Sequence, residues 1–205
     1  MKRSKLLNFL IFTSIFITSC AAPSIVYRGD YVPSSVDIFL PDSQKLSGKG
    51  LVQMHWSDET QVLNKNASSF TGGAVSMSIP LGSITKAISL EVYGNLFREG
   101  VSFSNEKEDG YTLIISPKVS SLDYYYDQLS NAGFAITPKV ELSANIRVLD
   151  KNKNETFSRT YSSGMVKGDT YFLNTSPSEA INKVIHIAIH QVIKESFNDI
   201  RLSVK

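Results

Sequence analysis

The sequence predicts an α+β fold built as a two-layer domain, an antiparallel sheet packed against two helices. Three patterns carry that reading. From Phe134 to Leu149 apolar and polar residues alternate without a break, as in a strand with one dry face and one wet face. Ser176-Pro177-Ser178-Glu179 is a capping box with proline at the first helical position, and Ile181, Val184, Ile185, Ala188, Val192 and Ser196 then fall along one side. Between Gly82 and Arg98, Ile84, Ile88, Val92 and Leu96 recur every fourth residue, with Ala87 and Phe97 widening the stripe. Two striped helices need an apolar surface to cover, and the dry face of the sheet is that surface.

The elements follow in chain order. Residues 1–19 read as a signal peptide, residues 20–35 as a small, polar, proline-bearing tether, and residues 36–205 as one domain. Val36 to Leu40 is the first expected strand. Leu51 to Trp56 is the second, with Val52, Met54 and Trp56 alternating against Gln53 and His55. Residues 57–73 are polar, end in Gly72-Gly73 and read as a loop, and Ala74 to Ile79 is extended up to Pro80. After the first helix, closed by Gly100, Val101 to Phe103 begins a strand and Asn105 to Gly110 makes a charged turn. Tyr111 to Tyr126 contains a long strand with Leu113, Ile115 and Val119 on one face. Pro117 within it requires an edge or a bulge, because proline has no N–H for a ladder. Asp150 to Asn154 turns the Phe134–Leu149 strand into a partner at Thr156 to Ser163, and the last helix runs to about Ile200.

Charge narrows the partners. Three of the 21 basic residues and none of the 19 acidic ones lie in residues 1–19, so residues 20–205 carry 18 basic against 19 acidic groups, a formal −1. A near-neutral domain without a Lys/Arg run carries no electrostatic footprint for nucleic acid.

The motifs of catalysis are not legible. There is no G-x-S-x-G, no H-E-x-x-H, and Gly48-Lys49-Gly50 lacks the rest of a phosphate loop. The expectation is therefore a protein that is not an enzyme, with no catalytic residues, no cofactor and no metal. His186 and His190 share one helix face by their spacing, as two zinc ligands would. Lys183 and Lys194 on the same polar side oppose a cation there, and favour a solvated helix face. Tyr124, Tyr125 and Tyr126, between Asp123 and Asp127, are a candidate partner-contact surface. The plainer reading puts alternate rings in the core and leaves the middle one exposed.

The N-terminus is the most specific feature. Lys2, Arg3 and Lys5 precede an apolar run from Leu6 to Ile17, too short to span a bilayer core of ~30 Å. Ile17-Thr18-Ser19-Cys20 then resembles the bacterial lipobox, a branched apolar residue and two small ones before a cysteine. That resemblance implies cleavage between Ser19 and Cys20, diacylglycerol on the Cys20 thiol (palmitate-type acyl chains) and acylation of the new amine. Cys20 is the only cysteine in the chain, so no intramolecular disulfide competes for it. In such lipoproteins of diderm bacteria an aspartate after the cysteine signals inner-membrane retention, so Ala21 in its place points to the outer membrane over the inner, on the assumption of a diderm host with a periplasm.

Lipobox, tether, the Ile79-Pro80-Leu81-Gly82 approach to the first helix, long strands, a hairpin and a capped last helix together resemble small envelope lipoproteins. These include the YajG-like lipoproteins, the auxiliary lipoproteins of ABC-type envelope transporters and, more distantly, the lipopolysaccharide-assembly lipoprotein that plugs its barrel partner. The resemblance implies a non-enzymatic accessory or assembly subunit docking on an envelope protein. The alternatives are a carrier of a lipid or glycan and a surface-exposed adhesion lipoprotein.

Overall fold

The computed structural model describes residues 25–26, 40–68, 74–106, 108–127, 135–172 and 177–203. The expected signal peptide, Cys20, residues 36–39 of the first expected strand and Ser176 of the expected capping box lie outside them.

The domain is α+β, as its patterns predict. Its main sheet has the order β5-β2-β6-β7-β8, formed by β2 (Gly50–Gln53), β5 (Val101–Ser104), β6 (Leu113–Asp127), β7 (Ala135–Asp150) and β8 (Glu155–Lys167), with β9 (Tyr171–Phe172) added beside β7. Two helices, α2 (Leu81–Gly94) and α3 (Pro177–Ser203), cover one face; a short α1 (Trp56–Glu59) follows β2. A second, smaller sheet of order β1-β4-β3 combines β1 (Ile25–Val26), β3 (Leu63–Ser68) and β4 (Ala74–Ile79). β1 falls inside the segment read as tether and pairs in parallel with β4, Ile25 level with Met77 and Val26 with Ser78.

The main sheet is mixed where an antiparallel one was expected. β6, β7 and β8 are antiparallel neighbours, but β2 runs parallel to both β5 and β6. The cause is the connection. β2 leads into a crossover that contains α2 and not into a tight turn, and a crossover returns the chain in the same direction.

β7 shows how directly the pattern becomes packing. Ile136, Val140, Leu142, Ala144, Ile146 and Val148 are all buried, and the residues between Val140 and Val148 alternate with them as exposed or half-buried positions. On β6, Leu113, Ile115, Pro117 and Val119 point the same way. A register shift between Val119 and Ser121 then transfers the inward position to Leu122 and Tyr124. Pro117 is tolerated for a visible reason: β2 pairs with β6 only as far as Ile115, so no ladder partner on that side needs its missing N–H.

The helices bury their stripes except at Ala87, which is exposed. In α2, Ile84, Ile88 and Val92 are fully buried; in α3, so are Ile181, Val184, Ile185, Ala188 and Val192. The two helices are tied by a buried hydrogen bond of 2.6 Å between Tyr93 Oη and Ser196 Oγ, and Ser196 in turn donates to the Ile193 carbonyl at 2.7 Å. Tyr93 is therefore the donor in the first bond. Tyr93→Phe removes one buried bond and little volume, so a loss of about 1 kcal/mol is expected in urea unfolding. Tyr93→Ala adds a cavity and should cost about 3–5 kcal/mol. At the sheet edge, Asp199 of α3 accepts from Arg159 Nη1 at 2.7 Å and from Tyr161 Oη at 2.8 Å, fastening the helix to β8.

Two expectations need correction. Trp56 was placed on the dry face of a strand with Val52 and Met54, but it is the first residue of α1 and 67% exposed. The strand ends at Gln53 because His55 caps a new helix. Its Nδ1 accepts from Ser57 N, and Asp58 and Glu59 sit at the positive end of the helix. Residues 57–73, expected as loop, also contain β3, whose Leu63–Ser68 backbone is antiparallel to β4 throughout.

Candidate functional site

A concave site on the described surface follows from the way β2 leaves the sheet. β6 continues past Ile115 without β2 beside it, while the chain after Met54 turns through His55 into α1. A cleft of about 330 Å³ opens between them. Its walls come from Gln53 and His55 on one side, Ser116 and Lys118 of β6, and Asn145 and Arg147 of β7. The β6 and β7 members belong to the outward face of the sheet, with Ser116 opposite Arg147 and Lys118 opposite Asn145.

The charges in this cleft are already matched. Lys118 lies 3.2 Å from Asp58, and Arg147 lies 2.6 Å from Glu155. Asn145 Nδ2 reaches Thr160 at 3.3 Å, and Gln53 Nε2 donates to the Glu106 carbonyl at 2.7 Å. His55 Nδ1 and Ser57 Oγ are 2.7 Å apart, which looks like a serine–histidine pair. Because the same nitrogen accepts the Ser57 backbone N–H, its proton belongs on Nε2 and the contact is a helix cap. Polar groups held in this way can recognise a polar surface by hydrogen bonds.

α1 is locked to the domain beside the cleft. Lys86 of α2 binds Glu59 at 2.6 Å and lies 3.6 Å from the centre of the Phe103 ring, and Asn105 also binds Glu59. The Lys86 hydrogen bond, with Asn105 adding to it, holds the Glu59 carboxyl below the usual carboxylate range.

The residues singled out from the sequence are placed as follows. Cys20 and Ser19 lie outside the described residues. Tyr125 is 46% exposed, in one cross-strand row with Lys139 and Lys167, while Tyr124 is half-buried against the core. Tyr126 lies opposite Pro138 in the ladder. Tyr124 and Tyr125 thus do not share one surface, since the bulge turns Tyr124 inward. His186 and His190 depart from the expected solvated face: they are 0% and 8% exposed. α3 is packed against β7, β8 and α2 and also lies against β1, so it is covered on more than the one side its stripe predicts. Burial pushes the His186 imidazole down to about 4. Sequence reasoning missed the cleft. It arises where a ladder stops, and only Pro117, in a strand that otherwise pairs, hinted at that stop.

No family model matches the chain, and no curated protein does. Among solved structures, the chain is similar to a Xanthomonas campestris protein of family DUF330, with a TM-score of 0.51 and 11% identity over 88% of this chain and 94% of that one. That likeness is one of fold. A minor lipoprotein of Acinetobacter baumannii aligns with a TM-score of 0.37 and 12% identity, over 75% of this chain and 92% of that one.

Proposed function

We propose that the chain is a lipid-anchored envelope lipoprotein, held in the outer membrane and serving as a non-enzymatic accessory or assembly subunit of an envelope complex. The observation that carries this reading is Ile17-Thr18-Ser19-Cys20: the only cysteine of the chain stands where a positive start and an apolar run end in two small residues. Two acyl chains or more on Cys20 make anchorage stable, since each buried CH₂ contributes about 0.8 kcal/mol. The near-neutral charge of residues 20–205 leaves lipid as the main source of membrane attachment. The docking role draws support from the exposed Trp56 and Tyr125, and from a cleft whose charges are paired within the chain.

Cys20→Ser is expected to abolish incorporation of a palmitate analogue and move the protein from the detergent phase to the aqueous phase. Unchanged labelling would sink the anchor. Photo-crosslinkers at Trp56 and Tyr125 in intact cells should give discrete adducts with an envelope protein. If neither gives an adduct and a lipid or glycan co-purifies, the carrier reading replaces the accessory one.

A further inference from the structure

The position of β1 says how an anchored chain would sit. Only five peptide units separate Cys20 from Ile25, and an extended chain covers at most about 3.6 Å per residue, or about 18 Å in all. Ile25 is no free tether residue, since it pairs with β4 of the smaller sheet. The pairing is parallel, Ile25 with Met77 and Val26 with Ser78, so the chain enters β1 from the Ala74 end of β4. At that end β3 finishes, with Ser68 level with Ala74; the opposite end, with Leu63 level with Ile79, joins the core beside α1. β1 also lies against α3, which connects the smaller sheet to the body of the domain.

We infer that the β1-β4-β3 sheet is the surface this domain presents to the bilayer, entered from its Ser68/Ala74 end, with Ile25 within about 18 Å of the lipidated residue. The inference rests on the lipoprotein reading above and adds an orientation to it. A domain on a free tether of residues 20–35 would turn in any direction. The β7–β8 turn at Asn152 lies at the Leu113 end of β6, where β2 begins, whereas the smaller sheet follows from the Gln53 end of β2 through α1. A domain clamped at Ile25 therefore holds the smaller sheet at the lipid and leaves the Asn152 turn at the other end of the main sheet. No charge attraction is needed, because the short lead and the ladder fix the geometry.

The test uses the full lipidated chain in vesicles containing a nickel-chelating lipid. With Cys20 acylated, no other cysteine exists, so Ser68→Cys or Asn152→Cys gives a single site for a nitroxide. Lipid-borne nickel should relax the label at 68 several-fold more than the label at 152. A flexible Gly/Ser spacer of about twenty residues inserted after Ala21 should remove the difference. Ile25→Pro with Val26→Pro, which deletes β1 donors, should do the same. Equal relaxation at 68 and 152 in protein whose intact mass shows the lipid on Cys20 overturns this inference alone. Protein whose mass shows no lipid overturns the anchored reading and this one with it.

Discussion

Gly82→Ala is expected to lower the unfolding free energy by about 3 kcal/mol, the upper end of what a forced side chain costs in a packed interior. Gly82 lies in the first turn of α2, and a Cβ there would overlap the carbonyl oxygens of both Glu59 and Asp58. Those atoms are backbone and cannot rotate aside. Relief requires α1 to move, and α1 is fastened by Lys86 on Glu59, by Lys118 on Asp58 and by the bond from Gly82 N to the Gln61 carbonyl. The control is Gly94→Ala at the other end of the same helix. The nearest atom to its Cβ would be Val101 Cγ1 at 3.8 Å, an ordinary contact. Alanine there removes glycine's backbone entropy and should stabilise by about 0.5–1 kcal/mol. Urea unfolding of both variants reads the contrast. A neutral Gly82→Ala would mean that α1 is not packed on α2 as described.

The second large effect is on acid stability. His186 is fully buried, and burial lowers its imidazole from 6.5 to about 4. In the unfolded chain the group binds its proton as pH falls through 6.5, whereas the folded state resists until about 4. Between these values the unfolded state holds more protons, so stability is fully present above 6.5 and falls as pH falls. At about 1.4 kcal/mol per unit the full loss is on the order of 3 kcal/mol. The Glu59 carboxyl, lowered mainly by its bond to Lys86, adds a loss of the same sign only below its ordinary value of 4.5. The interval from pH 6.5 to 4.5 therefore lies above the carboxylate's range and within the range set by His186. His186→Gln, which cannot titrate, should flatten unfolding free energy against pH across that interval. An unchanged slope would assign the acid sensitivity elsewhere.

Much of the architecture was legible because it depends on period. β7 alternates from Ile136 to Val148 and α3 carries a continuous stripe, so local pattern and final packing agree there. β3 was not legible. Leu63-Asn64-Lys65-Asn66-Ala67-Ser68 has no apolar alternation and is a strand through its pairing with β4. The direction of β2 was hidden for a related reason: four residues carry no mark of whether their neighbours run parallel or antiparallel. Trp56 misled because the period-two run Val52, Met54, Trp56 crosses a helix cap, and histidine is an unusual residue to cap with. His186 and His190 were read beside Lys183 and Lys194 as a wet face. Their burial depends on tertiary packing that no window around the helix could contain. In the candidate site, Lys118, Asn145 and Arg147 were visible only as the wet positions of two strands, and the cleft itself required knowing where β2 stops.

The place of β2 has a consequence for how the domain is made. Both of its neighbours, β5 and β6, come later in the chain, and their pairing runs from Gly50 with Val101 to Val52 with Ile115. As the chain emerges from its N-terminus, Leu51-Val52-Gln53-Met54 must wait as an unpaired apolar segment until residues 101–115 follow. β6, β7 and β8 can form from sequence neighbours, so the meander assembles early and β2 is inserted into it. The slow, aggregation-exposed step in biogenesis is therefore closure of the sheet around β2. A holdase that recognises a short extended apolar stretch would bind the chain there, before the domain has a core to hide it.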